Sequence, residues 1–231
     1  GLGDVYKRQI LFFTLINLFF LMSAYSQVDM RESLENLFID WREFEKPPLF
    51  NGAPDYRSNT FDLRIEEFNN LRNRLNQIDR EKLDIKSQVD WTLIWAEMNG
   101  FEFNYKILKP WERDPAFYKS LWMNRSDVPA HEGPTHHMVV EVWQYDFPLS
   151  KQQLKKLTNE LSIIPAFNEQ AKKNLIGNAR DLWIAGIRDI ETQVSNLELL
   201  KNFPGVKKQK DLIQIIDESI RSTKSLSMWL K

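Results

Sequence analysis

The stretch Phe61–Ile78, FDLRIEEFNNLRNRLNQI, decides the fold. Phe61, Ile65, Phe68, Leu71, Leu75 and Ile78 recur at spacings of three and four, and Arg64, Glu66, Glu67, Arg72 and Arg74 fill the other face. One apolar and one wet face at a 3.6-residue period is the pattern of an amphipathic helix. Asn59 or Thr60 supplies a capping side chain at its start.

The same period runs outward in both directions. Upstream, Asp29 caps a helix carrying Leu34, Phe38, Trp41 and Phe44, which Pro47-Pro48 ends. Downstream, Asp79-Arg80 makes a break, and a long helix is expected from about Glu81 to Leu108. Val89, Leu93, Ala96 and Phe103 give its apolar pattern, with Trp91 and Trp95 on a neighbouring stripe. Gly100 inside it costs about 1 kcal/mol and marks a kink or a close approach. Prolines then punctuate the chain to Pro148, with short helices expected over Ala116–Met123 and Thr135–Tyr145. Ser150 caps a helix through Leu154, Leu157 and Leu161, and Pro165 opens another in its first turn, where proline is tolerated. Gly177-Asn178 precedes a helix over Ala179–Lys201, and Pro204-Gly205 leads to the last one. No segment sustains period-two alternation. The expected class is all-α: a multi-helix antiparallel array of seven to nine helices following a signal peptide.

The two ends carry their own signals. Gly1–Gln9, GLGDVYKRQ, reads as non-native and is similar to a translated sequencing-adapter remnant. Ile10–Met22 is an apolar run of 13 residues, short of the span of about 20 that crosses a bilayer. Lys7 and Arg8 precede it, and Ala24 and Ser26 follow at small-x-small spacing, which places signal-peptide cleavage before Gln27. Residues 1–26 are therefore expected to be leader plus signal peptide, and residues 27–231 a helical domain. The protein is expected to be secreted or periplasmic, meeting a membrane only through the uncleaved signal peptide. Asp211–Lys231 reads as an amphipathic helix with no stop signal. The expectation is that the natural chain continues beyond it, and that this helix has lost its packing partner.

Composition excludes several function classes. Lys+Arg number 31 and Asp+Glu 32, a net charge of -1, without the basic excess of a nucleic-acid binder. Cysteine is absent, which removes disulfides, thiolate metal sites and cysteine nucleophiles together. The 8 glycines form no phosphate-binding loop.

The only histidines, 3 in number, lie in Ala130–Met138, AHEGPTHHM. His131, Glu132, His136 and His137 are the candidate metal ligands. A helical zinc motif needs histidines at i and i+4. The five-residue step from His131 to His136 turns a helix by about 500° and sets the second ring about 140° from the first. Pro134 also removes a backbone donor between them. A looped site from His131, Glu132 and His136 or His137 remains one alternative, and the bland one is a polar loop at the start of the next helix. Asp90, Glu97 and Glu102 read as a charged wet face. Trp91, Trp95, Trp111, Trp122 and Trp143 suit core packing better than a ligand cleft. No catalytic or cofactor-binding residue is assigned.

Two stretches resemble a known family. Leu83–Tyr118 contains Asp90-Trp91 and then Trp111, Arg113, Asp114, Pro115 and Tyr118 in a W-x-R-D-P-x-x-Y element. Phe147–Trp183 contains Pro148, Leu149, Ser150, Ile164, Pro165, Ala171, Asn174, Leu175, Asn178 and Ala179 in a P-L-S … I-P … A-x-x-N-L … N-A order. Together they resemble the N-terminal part of a bacterial family catalogued as domain of unknown function 885. The resemblance spans about Asp29–Lys231. It implies a largely helical, exported protein similar to zinc metallopeptidases with an H-E-x-x-H motif. It also implies that the metal motif lies downstream, so that zinc belongs to the full-length protein and not to this fragment. The spacing and position of His131–His137 differ from that motif, and the zinc role is not transferred to them.

Three functions follow as expectations. The first is a helical N-terminal region of a secreted zinc metallopeptidase-like hydrolase. It would wall a cleft for a peptide substrate, have the missing C-terminal half of the same chain as its partner, and be inactive alone. The second is a non-enzymatic exported helical interaction module. The third is a small metal site at His131, Glu132 and His136.

Overall fold

The computed structural model describes residues 30–125, 139–177 and 179–231. The signal-peptide reading, the cleavage site before Gln27 and the candidate ligands His131, Glu132, His136 and His137 lie outside the described residues.

Helices dominate what is described. Residues 30–45 are helical (α1). They are followed by α2 (Ser58–Gln77), α3 (Ile85–Phe103), the single turn α4 (Pro110–Arg113), α5 (Lys151–Leu161), α6 (Ile164–Asn174), α7 (Arg180–Leu200) and α8 (Lys210–Leu230). Two minimal strand pairs interrupt them. β1 (Leu49–Phe50) pairs antiparallel with β2 (Ala53–Pro54), and β3 (Leu121–Trp122) pairs in parallel with β4 (Val140–Glu141). Where short helices were expected over Ala116–Met123 and Thr135–Tyr145, the described residues form 3-10 turns at Pro115–Tyr118 and Val142–Gln144 beside β3 and β4. Pro115 supplies a fixed φ but no N–H, and the Asp114 side chain accepts from the Ala116 N–H, so a tight turn is satisfied locally and need not propagate.

The chain divides into two compact units, neither of them contiguous in sequence. The first takes residues up to Glu45 and Arg64–Glu102; the second takes Lys46–Leu63 and Phe103–Lys231.

The first unit is built from α1, most of α2, and α3. Its core is Leu34, Leu37, Trp41 and Phe44 from α1, Phe68, Leu71 and Leu75 from α2, and Leu83, Ile94 and Met98 from the α3 region. Trp41, Phe44, Phe68 and Phe101 meet edge-to-face and tilted, with centroids 5.0–6.3 Å apart. The α2 stripe is as its period predicts. The α3 stripe is not: its buried residues are Ser87, Ile94 and Met98, while Val89, Leu93 and Phe103 are exposed. Apolar residues lie around most of this helix, so periodicity marks two stripes and cannot say which one is covered. Nothing lies within 4 Å of a Cβ built on Gly100, so close packing does not explain that glycine. Past Phe103, in the second unit, the helix widens into a π-turn over Asn104–Leu108. It stops at Lys109, whose left-handed backbone (φ 43°) returns its N–H to the Asn104 carbonyl.

In the second unit α8 packs on α5, α6 and α7. Leu212, Ile216, Ile220, Leu226 and Leu230 are buried along it. The expectation of a last helix without a partner is thus corrected. Its apolar stripe is covered, and only Met228 and Trp229 at its end stay exposed, Trp229 lying 6.1 Å from the Trp183 ring. Ser150 closes a reciprocal capping box with Gln153 at the start of α5, and Pro165 sits in the first turn of α6. α7 crosses the Pro115–Tyr118 turn at Gly186, where a Cβ would come within 2.7 Å of the Ala116 nitrogen.

Candidate functional site

The polar side chains buried in the second unit are largely spent on the backbone. Gln170 Oε1 accepts from the Tyr56 N–H at 2.6 Å, and its Nε2 donates to the Pro54 carbonyl at 3.0 Å. Asn174 Nδ2 donates to the Tyr56 carbonyl and to the Tyr118 hydroxyl, both at 3.0 Å. Tyr118 donates in turn to the Trp111 carbonyl at 2.7 Å. Burial pushes the Tyr118 phenol well above its ordinary value, so it remains a donor at any physiological pH. On α7, Gln193 Oε1 accepts from Ser120 N–H at 2.5 Å and Leu121 N–H at 3.0 Å, fixing β3. These groups satisfy the loops that cross α6 and α7, and none is presented to a substrate.

The motif residues share this role. Trp111 stacks on Phe61 at 3.9 Å. Burial raises the Asp114 carboxyl, the Ala116 N–H opposes that, and neighbouring Asp189 adds to the rise. Asp189 itself pairs with Lys119 at 3.0 Å. Trp91 and Trp95 belong to the first unit and Trp111, Trp122 and Trp143 to the second; Trp111 is buried and Trp95 exposed. Among the described residues no three His, Cys, Asp or Glu side chains gather as metal ligands. No described cluster offers a ligand set for the zinc ion that the resemblance assigns to the full-length protein.

What the first unit does present is a cleft of about 460 Å³ between α1 and α3. Leu34, Phe38 and Ile39 line it from α1, and Ser87, Leu93 and Ile94 from α3. Phe38, Ile39 and Leu93 are 40%, 63% and 57% exposed, with Val89 one turn before Leu93 at 53%. The rim is charged and largely tied off. Arg31 donates to Glu35 at 3.0 Å. Arg42 bridges Glu45 at 2.6 Å and Glu97 at 2.8 Å. Glu97 also accepts from the buried Trp41 indole at 3.0 Å. Burial raises the Glu45 carboxyl, and the Arg42 guanidinium works against that rise. Asp90 stands at the rim, within Coulombic reach of Arg31 but forming no hydrogen bond or ion pair with it.

Sequence reading therefore misplaced two things here. Glu97 and Glu102 are not simply a wet face: Glu97 anchors Trp41 and Arg42, and Glu102 pairs with Arg72 at 3.4 Å. The residues taken as the covered stripe of α3, Val89, Leu93, Ala96 and Phe103, are exposed, and Leu93 lines the cleft. The available signal was the surplus of apolar positions on α3, more than one stripe can bury. No family model, no curated protein and no solved structure matches this chain.

Proposed function

We propose that this chain is the helical N-terminal region of an exported zinc metallopeptidase-like hydrolase, an array of seven to nine antiparallel helices that shapes a cleft for a peptide substrate and leaves bond-making to residues elsewhere. The reading rests on the resemblance of two stretches, and one observation supports it. Two of their elements share a buried hydrogen bond: Tyr118 of the W-x-R-D-P-x-x-Y element accepts from Asn174 of the A-x-x-N-L segment at 3.0 Å. Residues 56 apart that share one buried hydrogen bond are expected of motifs that specify a common scaffold. In this proposal the partner is a C-terminal half of the same chain, zinc belongs to that half, and residues 10–26 direct export. Sequencing the gene beyond codon 231 and assaying the full product tests it. A downstream His-Glu…His-His helix and chelator-sensitive peptide hydrolysis are expected. A stop codon directly after Lys231, or a downstream frame with neither feature, overturns it.

A second reading has its own support. In it the chain is a non-enzymatic exported interaction module, and its contact face is the exposed apolar cleft of α1 and α3. A soluble monomer seldom leaves large contiguous apolar surface uncovered without a use for it.

A further inference from the structure

We propose that the α1–α3 cleft is a docking groove for a basic amphipathic helix, anchored by apolar residues one turn apart and carrying a lysine or arginine beside them. The inference rests on the second reading and names the partner's chemistry.

Three observations lead to it. The groove runs along α1 from Arg31 to Arg42, three turns or about 16 Å at 1.5 Å per residue. That length suits a helix of three to four turns better than a compact ligand. Its apolar walls are Phe38 and Ile39 on α1 and Leu93 on α3, all exposed, above the buried Leu34 and Ile94. An apolar furrow between two helices is the receiving geometry for a third, whose side chains at i, i+3/i+4 and i+7 fill it. The third observation is charge. The lining holds two cations, Arg31 and Arg42, and three carboxylates, Glu35, Asp90 and Glu97. Both arginines are already neutralised, by Glu35 and by Glu45 with Glu97. Carboxylates thus outnumber cations, since Arg42 alone faces both Glu45 and Glu97, and Asp90 is within longer-range attraction of Arg31 but makes no hydrogen bond or ion pair with it. An occupant that covers the groove also draws Asp90 out of water, and a buried unpaired carboxylate is costly. A basic residue on the occupant removes that cost. A second copy of the chain would bring another Asp90-bearing face of the same sign, so self-association through this groove is the less favourable use of it.

The test uses the full chain and two fluorescein-labelled, end-capped peptides of 15 residues, one of leucine and lysine and one of leucine and glutamate in the same amphipathic order. Fluorescence anisotropy is expected to show saturable binding of the leucine–lysine peptide and at least tenfold weaker binding of its acidic twin. Asp90→Lys is expected to remove that preference. Ile39→Asp and Leu93→Asp, checked for intact helicity by circular dichroism, are expected to abolish binding. Phe38→Ala serves where an aspartate variant does not fold, and is expected to weaken binding several-fold. Equal binding of both peptides, or binding indifferent to Phe38, Ile39 and Leu93, overturns the proposal. If neither peptide binds but light scattering shows a dimer that Ile39→Asp dissolves, the partner chemistry is wrong and the contact-face reading survives. If neither peptide binds and the protein is a monomer at all concentrations, both fall.

Discussion

Removing one oxygen from the centre of the second unit should cost a large fraction of its stability. Tyr118 is completely buried, and its hydroxyl donates to the Trp111 carbonyl at 2.7 Å while accepting from Asn174 at 3.0 Å. Tyr118→Phe keeps the ring and its T-shaped contact with Phe117 at 5.3 Å, so no large cavity opens. Two hydrogen bonds are lost at about 1 kcal/mol each. The Trp111 carbonyl is left with one fewer donor in a dry site, a group whose orphaning costs about 1–3 kcal/mol. Asn174 retains the Tyr56 carbonyl and Gln170 as acceptors, which limits the damage on that side. The lost bond to Trp111 and the orphaned carbonyl are one cost, so with about 1 kcal/mol for the Asn174 bond the total is about 2–4 kcal/mol. With a urea m-value of about 2–3 kcal/mol/M, the unfolding midpoint should fall by about 1 M with no change in slope. Urea unfolding followed by tryptophan fluorescence measures it. A double-mutant cycle with Asn174→Ala should show a coupling of about 1 kcal/mol, as contacting residues in one network do. A midpoint shift under about 0.2 M, or strictly additive single costs, would refute the claim that this network is structural.

Other substitutions test separate parts of the account. Gly100 is exposed within α3 and has open space around its Cβ position, so Gly100→Ala should stabilise by about 0.5–1 kcal/mol, read as a raised thermal midpoint. Gly186→Ala should do the reverse, losing more than about 2 kcal/mol, because the new methyl meets the Ala116 backbone nitrogen and the Pro115 ring at 2.7 Å. Burial would raise the Asp55 carboxyl, but the Arg57 guanidinium, the Thr60 hydroxyl and the Arg57 N–H together hold it below the usual aspartate range. A depressed folded-state pKa contributes stability that is present above the unfolded value of about 3.9 and is lost as pH falls through the folded one. Asp55→Asn should therefore be less stable than the parent at pH 7, and the gap should narrow below about pH 4 in acid-titrated unfolding curves.

Helix existence was legible wherever polar and apolar residues segregate cleanly. The α2 stripe, the Ser150 cap and the Pro165 start could all be read because each rests on local chemistry within one turn. The α3 face could not be read. Ile85, Val89 and Leu93 form a row as regular as that of Ile94 and Met98, and only the packing of α1 and α2 selects between them. The 3-10 turns and β3–β4 escaped for a related reason. Leu121 is held by Gln193, 72 residues away, and no spacing rule over a short window detects that partner. The candidate groove was hidden by the same ambiguity, since its walls are the residues that periodicity assigned to the core.

The segment from Lys46 to Leu63 leaves the first unit and belongs to the second. Its backbone at Pro54 and Tyr56 is grasped by Gln170 and Asn174, more than a hundred positions later in the chain. On the ribosome, this hairpin emerges long before the helix that will hold it. At a synthesis rate of about 5–20 residues per second, its amide and carbonyls stay bonded to water for several seconds. Splitting the gene near codon 103 to obtain each half separately would thus sever the second unit from a strand pair it needs, and burden the first with a loop that has nowhere to fold.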